Sequence, residues 1–195
     1  MGSEFLKNGY HVYKGAISKE LCSFGRHYLD LMMDAGNLPY DIGGEGKHGL
    51  KCISYGAHGV FYSETLSVLL KDVIEEVTDI KLFNTYSYSR IYEKGSRLTR
   101  HTDRPSCEIS TSLNLGYDGE NWPLYIRTPY DEDKEVILEE GDMLIYKGIE
   151  RPHWRDKYNG KKIYQIFLHY VNQAGPYKDW KFDKREHLGH SHTNN

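Results

Sequence analysis

His101 and Asp103 stand two residues apart, and side chains two apart on an extended strand point the same way. A further imidazole, His153, follows later in the chain. Two imidazoles and one carboxylate gathered on one face of a metal suit Fe(II), and they leave the opposite positions open to other ligands. No thiolate is needed for such a site. The bland alternative is a surface His-Thr-Asp turn and an unrelated histidine. The flanks weigh against it. Arg90-Ile91-Tyr92-Glu93-Lys94-Gly95 reads as a strand entering a tight turn just before the pair. Gly141-Asp142-Met143-Leu144-Ile145-Tyr146-Lys147-Gly148 reads as a turn, a buried strand and another turn just before His153.

In this order the segments resemble the Fe(II)- and 2-oxoglutarate-dependent oxygenases, in particular their prolyl-4-hydroxylase-like branch. That branch carries Arg-x-Tyr-x-x-Gly, then His-x-Asp, then Gly-Asp before an apolar strand, then a distal histidine. The similar region runs from about Tyr86 to Val171, less than half the chain. The resemblance implies a double-stranded β-helix in which His101, Asp103 and His153 hold Fe(II), with 2-oxoglutarate as cosubstrate, O2 as co-reactant and ascorbate in support. It implies hydroxylation of a C–H bond, with succinate and CO2 released. Related halogenases replace the ligand carboxylate with a small residue, so Asp103 argues for hydroxylation. A peptidyl residue such as proline is the first substrate class, and a free amino acid or small metabolite the second. The rival is a cupin-type metal-binding protein without oxygenase activity. Cupins usually add a histidine to the ligand set, whereas Thr102 and Arg104 flank Asp103 here.

A buried carboxylate must be paired, so the far end of 2-oxoglutarate needs a cation. The resemblance places it some eight to ten residues after the distal histidine, where Lys161 and Lys162 stand. Adjacent residues on a strand face opposite ways, so only one can enter the barrel. The spacing from Gly160 favours Lys162, and counting back from an inward Phe167 favours Lys161; Lys162 is preferred. If both are solvated turn residues, Arg90 or Arg155 must serve. Tyr86, Tyr88, Arg90 and Tyr92 share one strand face. The resemblance puts Tyr92 near the cosubstrate, while Tyr86 and Tyr88 read as structural. Thr111 and Leu113 are expected to point inward on the following strand. Arg104 and Glu108 read as a structural ion pair, His169 as packing, and His187, His190 and His192 as tail. Trp122 and Trp154 either line a substrate mouth or fill the core edge.

These residues sit in a chain of 195 residues, enough for one domain with a real core. A net charge of −3 offers no global basic field for nucleic acid or anionic membrane, so nucleic acid is disfavoured as a substrate. No apolar run is long enough to span a bilayer, and the first residues lack the apolar core of a signal peptide. The three cysteines, Cys22, Cys52 and Cys107, cannot all pair and form no Cys-x-x-Cys. Free thiols in a reducing cytoplasm are the expectation.

The architecture read from the pattern is α+β, mainly β. It has a jelly-roll core over about 82–172 with N-terminal helices packed on one face. One oxygenase domain spans 1–175, and a polar tail, disordered near its histidines, covers 176–195. Gly9 to Lys14 reads as a short strand. Ser18 caps a helix ended by Gly36, and Ser63 caps a second. Residues 37–60 hold Gly43, Gly44, Gly46, Gly49, Gly56 and Gly59 and read as a long loop. Its part 40–60 is expected to be a mobile lid over the substrate. Strands are expected at 82–92, 107–115, 123–127, 134–138, 142–147 and 162–172.

Overall fold

Apolar and polar residues alternate along the strands after Leu82, and a computed structural model, which describes residues 2–41 and 53–189, shows what the two faces meet. The elements in chain order are α1 (Gly2–Asn8), β1 (Tyr10–Tyr13), α2 (Lys19–Asp34), β2 (Tyr40–Asp41), β3 (Ser54–His58), α3 (Phe61–Leu69), α4 (Lys71–Thr78), β4 (Leu82–Glu93) and β5 (Leu98–His101). There follow β6 (Ile109–Asp118), β7 (Leu124–Arg127), β8 (Asp133–Val136), β9 (Met143–Lys147), β10 (His153–Arg155) and β11 (Lys162–Asn172). Among the described residues the strands form a major sheet, ordered β1-β9-β6-β11-β4-β3-β2, and a minor sheet, ordered β5-β10-β7-β8. The neighbouring strands pair antiparallel.

One face of the major sheet carries Leu113, Leu115, Met143, Ile145, Ile166 and Leu168, packed with Ile17, Cys22, Leu29, Leu66 and Ile74 from the helical layer. The other face looks toward the minor sheet, where Leu144 and Tyr146 meet Leu124, Ile126, Val136 and Leu138. The molecule is a double-stranded β-helix with its helices on one face.

Several expected details hold. Ser18 caps α2 by accepting from the Leu21 N–H at 3.3 Å. The strand after Gly9 is β1, and the six strands expected from Leu82 onward, now β4, β6, β7, β8, β9 and β11, fall within a few residues of where the alternation placed them. Others differ for local reasons. The N-cap of α3 is Val60, not Ser63, which sits buried inside the helix and hydrogen-bonds Ser89 across to β4. Thr111 and Leu113 face the helices, so Ser110, Ser112 and Asn114 are the inward residues of β6. The long loop is partly ordered sheet: β3 pairs along β4 from Ser54↔Tyr92 to His58↔Tyr88. The centre of the expected lid, 42–52, lies outside the described residues, as do Cys52, His190 and His192. The segment after Gly175 was expected to be a loose polar tail. Instead its 3-10 turns at Lys178–Lys184 bury Asp183. Cys22 and Cys107 are buried free thiols. No described helix is long and apolar enough to cross a membrane.

Candidate metal centre and its pocket

β5 and β10 are neighbours in the minor sheet, and their register sets His101 opposite His153. His101 ends its strand. Asp103 lies just past it, fixed by its backbone N–H donating to the Gly148 carbonyl at 2.9 Å. Asp103 Oδ1 is then 3.6 Å from Nε2 of both His101 and His153. The three donor atoms fall within 4.8 Å of one another, close enough for one ion to touch all of them. Each imidazole is oriented from behind. Nδ1 of His101 meets the Thr99 carbonyl at 2.8 Å, and Nδ1 of His153 meets the Arg151 carbonyl at 3.0 Å. A carbonyl only accepts, so both rings carry the proton on Nδ1 and present a bare Nε2 to the shared centre. A metal needs that tautomer.

The electrostatics favour the ligating state at Asp103 and His153, while at His101 the carboxylate favours the proton that a metal would displace. Burial would raise the Asp103 pKa, but His101, His153 and Ser110 outweigh it and hold the carboxyl well below the usual range. Burial lowers the His153 pKa, which keeps that ring neutral and ready to ligate. For His101 burial also acts downward, but Asp103 and the Thr99 carbonyl prevail and the pKa is raised. Asp103 Oδ2 accepts from Ser110 Oγ at 2.8 Å, and Ser110 Oγ is 3.0 Å from His169 Nδ1.

The three donors open onto a cavity of about 420 Å³ between the sheets. Its walls include Tyr86, Tyr88, Arg90 and Tyr92 from β4, Phe167 and His169 from β11, Tyr146 from β9, and His58 from β3. The shared face of β4 that the alternation indicated is therefore a cavity wall. Tyr86 and Tyr88, expected to be structural, line it beside Tyr92.

No protein-family profile matches the chain, and no curated protein is similar to it in sequence. Solved structures match over most of its length. A prolyl-4-hydroxylase from Pseudomonas putida superposes with a TM-score of 0.69 at 12% identity, covering 87% of this chain and 96% of that one. A prolyl hydroxylase from Trichoplax adhaerens, in complex with a hypoxia inducible factor peptide fragment, gives 0.72 at 12% identity, covering 94% and 90%. HygX from Streptomyces hygroscopicus, with nickel, 2-oxoglutarate and hygromycin B bound, gives 0.68 at 12% identity, covering 88% and 86%. The chain has the 2-oxoglutarate–Fe(II) oxygenase fold.

Within that fold the expected lysine anchors are displaced. Along β11, Ile163, Gln165, Phe167 and His169 face the barrel interior, whereas Tyr164, Ile166 and Leu168 face the helices. Lys162 shares the helix-facing side and lies 4.0 Å from Asp30 of α2. Lys161 precedes the strand and is exposed. Neither lines the cavity. Two arginines lie on the interior side: Arg90 lines the cavity, and Arg155 sits behind that lining, on Gln165. Arg90 is on the wall, its guanidinium 4.9 Å from the Tyr88 ring centre and 5.3 Å from that of Tyr92. Arg155, two residues after His153 on β10, points the same way as that histidine and is buried. It donates to the Trp122 carbonyl and, at 3.1 Å, to Gln165 Oε1. Among the described residues no carboxylate lies within ion-pair distance of it, and burial lowers its pKa to about 10. Tyr92 lines the cavity and packs edge-on against Trp122, over whose ring the Arg155 guanidinium sits at 4.9 Å.

Trp122 is thus a core residue, its Nε1–H donating to the Asp156 carbonyl at 2.7 Å. Trp154 stacks on Tyr125 beneath Arg100 and does not line the cavity. Arg104 and Glu108 are not a pair. Arg104 is bidentate to Asp183 at 3.0 and 2.7 Å, and Glu108 accepts from the Asn172 N–H. His169 is a cavity residue rather than packing. Ser110 was missed altogether; it meets His169 through the β6–β11 register, which no local spacing reveals.

Proposed function

We propose that this chain is an Fe(II)- and 2-oxoglutarate-dependent dioxygenase that hydroxylates a C–H bond, with His101, Asp103 and His153 as the iron ligands. The observation that carries the reading is the convergence of two imidazoles and a carboxylate on a cavity with a buried arginine beside it. The donor chemistry fits Fe(II), which takes imidazole and carboxylate and needs open positions. With iron bound, 2-oxoglutarate and O2 supply the oxidising chemistry and leave as succinate and CO2, with one oxygen atom passed to the substrate.

The chain's own residues bind, orient and exclude water. A buried unpaired cation is costly, and a dicarboxylate that pairs with it offsets that cost. We assign the far carboxylate of 2-oxoglutarate to Arg155, with the Tyr92 phenol turning to donate a second hydrogen bond. Arg90, already on the wall, is the rival anchor. The aromatic rings of Tyr86, Tyr88 and Phe167 shield the reacting carbon from solvent. A peptidyl residue such as proline is the leading substrate, by analogy with the two prolyl hydroxylases. The HygX complex, which holds hygromycin B, keeps a small molecule as the second class. The reading places the protein in the cytoplasm.

The test is succinate release from 2-oxoglutarate in the presence of Fe(II) and ascorbate, compared with the His101→Ala protein. Release by the wild type alone supports an oxygenase. Equal release by both, or none with metal demonstrably bound, overturns it; the second outcome favours a cupin-type metal-binding protein.

A further inference from the structure

The Ser110 hydroxyl has one proton and, besides the Tyr146 hydroxyl, which can donate to it, three polar neighbours. Two of them, Asp103 Oδ2 at 2.8 Å and the Cys107 carbonyl at 3.1 Å, can only accept. The third is His169 Nδ1 at 3.0 Å. Whichever acceptor takes the serine proton, Ser110 Oγ has only lone pairs left for the imidazole. His169 Nδ1 must therefore be the donor. Burial lowers the pKa of this imidazole to about 4, so the ring is neutral; with its single proton on Nδ1, Nε2 carries a lone pair.

That lone pair faces a useful place. His169 lines the cavity, and among the described residues nothing hydrogen-bonds its Nε2. Tyr86 packs against the ring, its plane tilted by 33° with centroids 4.5 Å apart. The ring stands beside the metal centre, since one of its nitrogens comes within 4.8 Å of an Asp103 carboxylate oxygen. The rest of the wall away from the metal donors supplies mostly donors and aromatic surface: the guanidinium of Arg90, the phenols of Tyr86, Tyr88, Tyr92 and Tyr146, and a second imidazole, His58, at the β3 edge. Arginine accepts no hydrogen bond, whereas a neutral imidazole nitrogen accepts strongly.

We infer that His169 is a specificity-determining residue that accepts a hydrogen bond, through Nε2, from an N–H or O–H group of the substrate beside the carbon to be oxidised. This rests on the oxygenase reading for the word substrate, but not for the tautomer. The substrate class narrows accordingly. It carries a hydrogen-bond donor next to the reacting C–H, as a secondary amide or an alcohol does. A tertiary amide or an all-hydrocarbon segment leaves Nε2 desolvated and unpaired, and a site built to accept a hydrogen bond rejects the ligand that lacks the donor. An internal prolyl residue has no backbone N–H, so His169 weighs toward an amide-bearing neighbour or a hydroxylated small molecule.

The test needs no turnover. Long-range proton–nitrogen NMR correlations on the metal-free and Zn(II)-loaded protein should show His169 protonated on Nδ1 only. Phenol and anisole are then titrated as probes, since the aromatic walls suit a phenyl ring and the two differ in the O–H donor. Phenol should move the Nε2 resonance and bind roughly fivefold more tightly than anisole, the discrimination of about one net hydrogen bond. His169→Leu should level the two affinities. A proton on Nε2, equal effects of both probes, or no effect of either overturns the inference. If succinate release fails while the Nδ1 tautomer and the phenol preference persist, the oxygenase reading falls and the binding role stands.

Discussion

The two oxygens of Asp103 have separate tasks. Oδ1 faces both imidazoles at 3.6 Å, while Oδ2 is held by Ser110. Partners of this outer kind are worth about ten- to a hundredfold in metal affinity. Ser110→Ala should therefore weaken Mn(II) binding by about tenfold, read by paramagnetic resonance, whereas His101→Ala should abolish it. Unchanged affinity in Ser110→Ala would show that the Gly148 carbonyl alone positions the carboxylate. The cosubstrate anchor gives a second prediction. Arg155→Met should weaken 2-oxoglutarate binding to the Mn(II) protein by about 2–5 kcal/mol, the cost of removing one partner of a buried charge pair. Lys161→Ala and Lys162→Ala should leave it unchanged. Arg155→Met should lower the melting temperature only modestly, since it removes a lone buried charge but leaves the Trp122 carbonyl without its donor, at about 1–3 kcal/mol. A loss confined to Arg90→Met would move the anchor to the wall. The proposed metal ligands were legible as a set, His-x-Asp with a later histidine, although the strand periodicity behind the spacing stops at His101, where β5 ends. His153-Trp154-Arg155 carries the same spacing, but counting from the distal histidine to the lysines hid it, since the turn before β11 puts Lys162 on the helix face.

At the scale of elements, what positions the centre is a set of short pieces. β5 and β10 are four and three residues long, too brief for any periodic signal, yet their pairing brings the two histidines together. Longer strands such as β4 and β11 were readable because alternation persists over 12 and 11 residues. The connection after β9 has its own constraint. A Cβ at Gly148 would lie 2.3 Å from the Cys107 carbonyl, 2.4 Å from Asp103 Oδ2 and 2.5 Å from Ser110 Oγ. Gly148→Ala should thus displace the carboxylate and cost about 1–3 kcal/mol of stability by overpacking. Chemical denaturation and Mn(II) titration should both report it; a variant matching wild type in both would show that the turn can relax. On the helical side, Glu75 fastens α4 to the start of β4, accepting from Lys71 at 2.8 Å, Lys81 at 2.7 Å and the Leu82 N–H at 2.9 Å. Burial alone would raise its pKa, but these partners lower it from 4.5 to about 2. A depressed pKa means that Glu75 binds its proton more readily unfolded than folded. Its contribution is complete above pH 4.5 and is lost as pH falls toward about 2. Urea unfolding across that window should show a steeper loss in wild type than in Glu75→Gln, and parallel curves would remove Glu75 from the acid response.

The whole molecule is closed by its C-terminal segment, which composition alone marked as a polar tail. Phe182, Asp183 and Lys184 have φ of 53°, 54° and 62°, the left-handed region that L-residues rarely enter in succession. Such a turn costs about 1–3 kcal/mol per residue and persists only where surrounding contacts enforce it. Two ion pairs do so here, and both are long-range, which is why no local pattern announced them. Arg104, the residue after the proposed metal ligand Asp103, grips Asp183 with two hydrogen bonds while its guanidinium lies 4.6 Å over the ring of Tyr86. Arg185 donates to Glu64 of α3 at 2.7 Å and to the Thr85 carbonyl at 3.0 Å. Both side chains of the Arg185–Glu64 pair are 4% exposed. Removing one partner of a buried pair leaves the other charge stranded and costs about 3–5 kcal/mol. Arg185→Ala should therefore lower global stability by that order, whereas a double variant, Arg185→Met with Glu64→Leu, should recover much of it because no charge is left alone. The segment should also release before the sheets do, since its left-handed turn has lost one of its two fasteners. Hydrogen exchange at 178–189 should become fast in Arg185→Ala while β6 and β11 stay protected. Exchange that remains slow there would mean the Arg104–Asp183 clamp suffices alone. Exchange that rises everywhere together would make the segment part of the cooperative core.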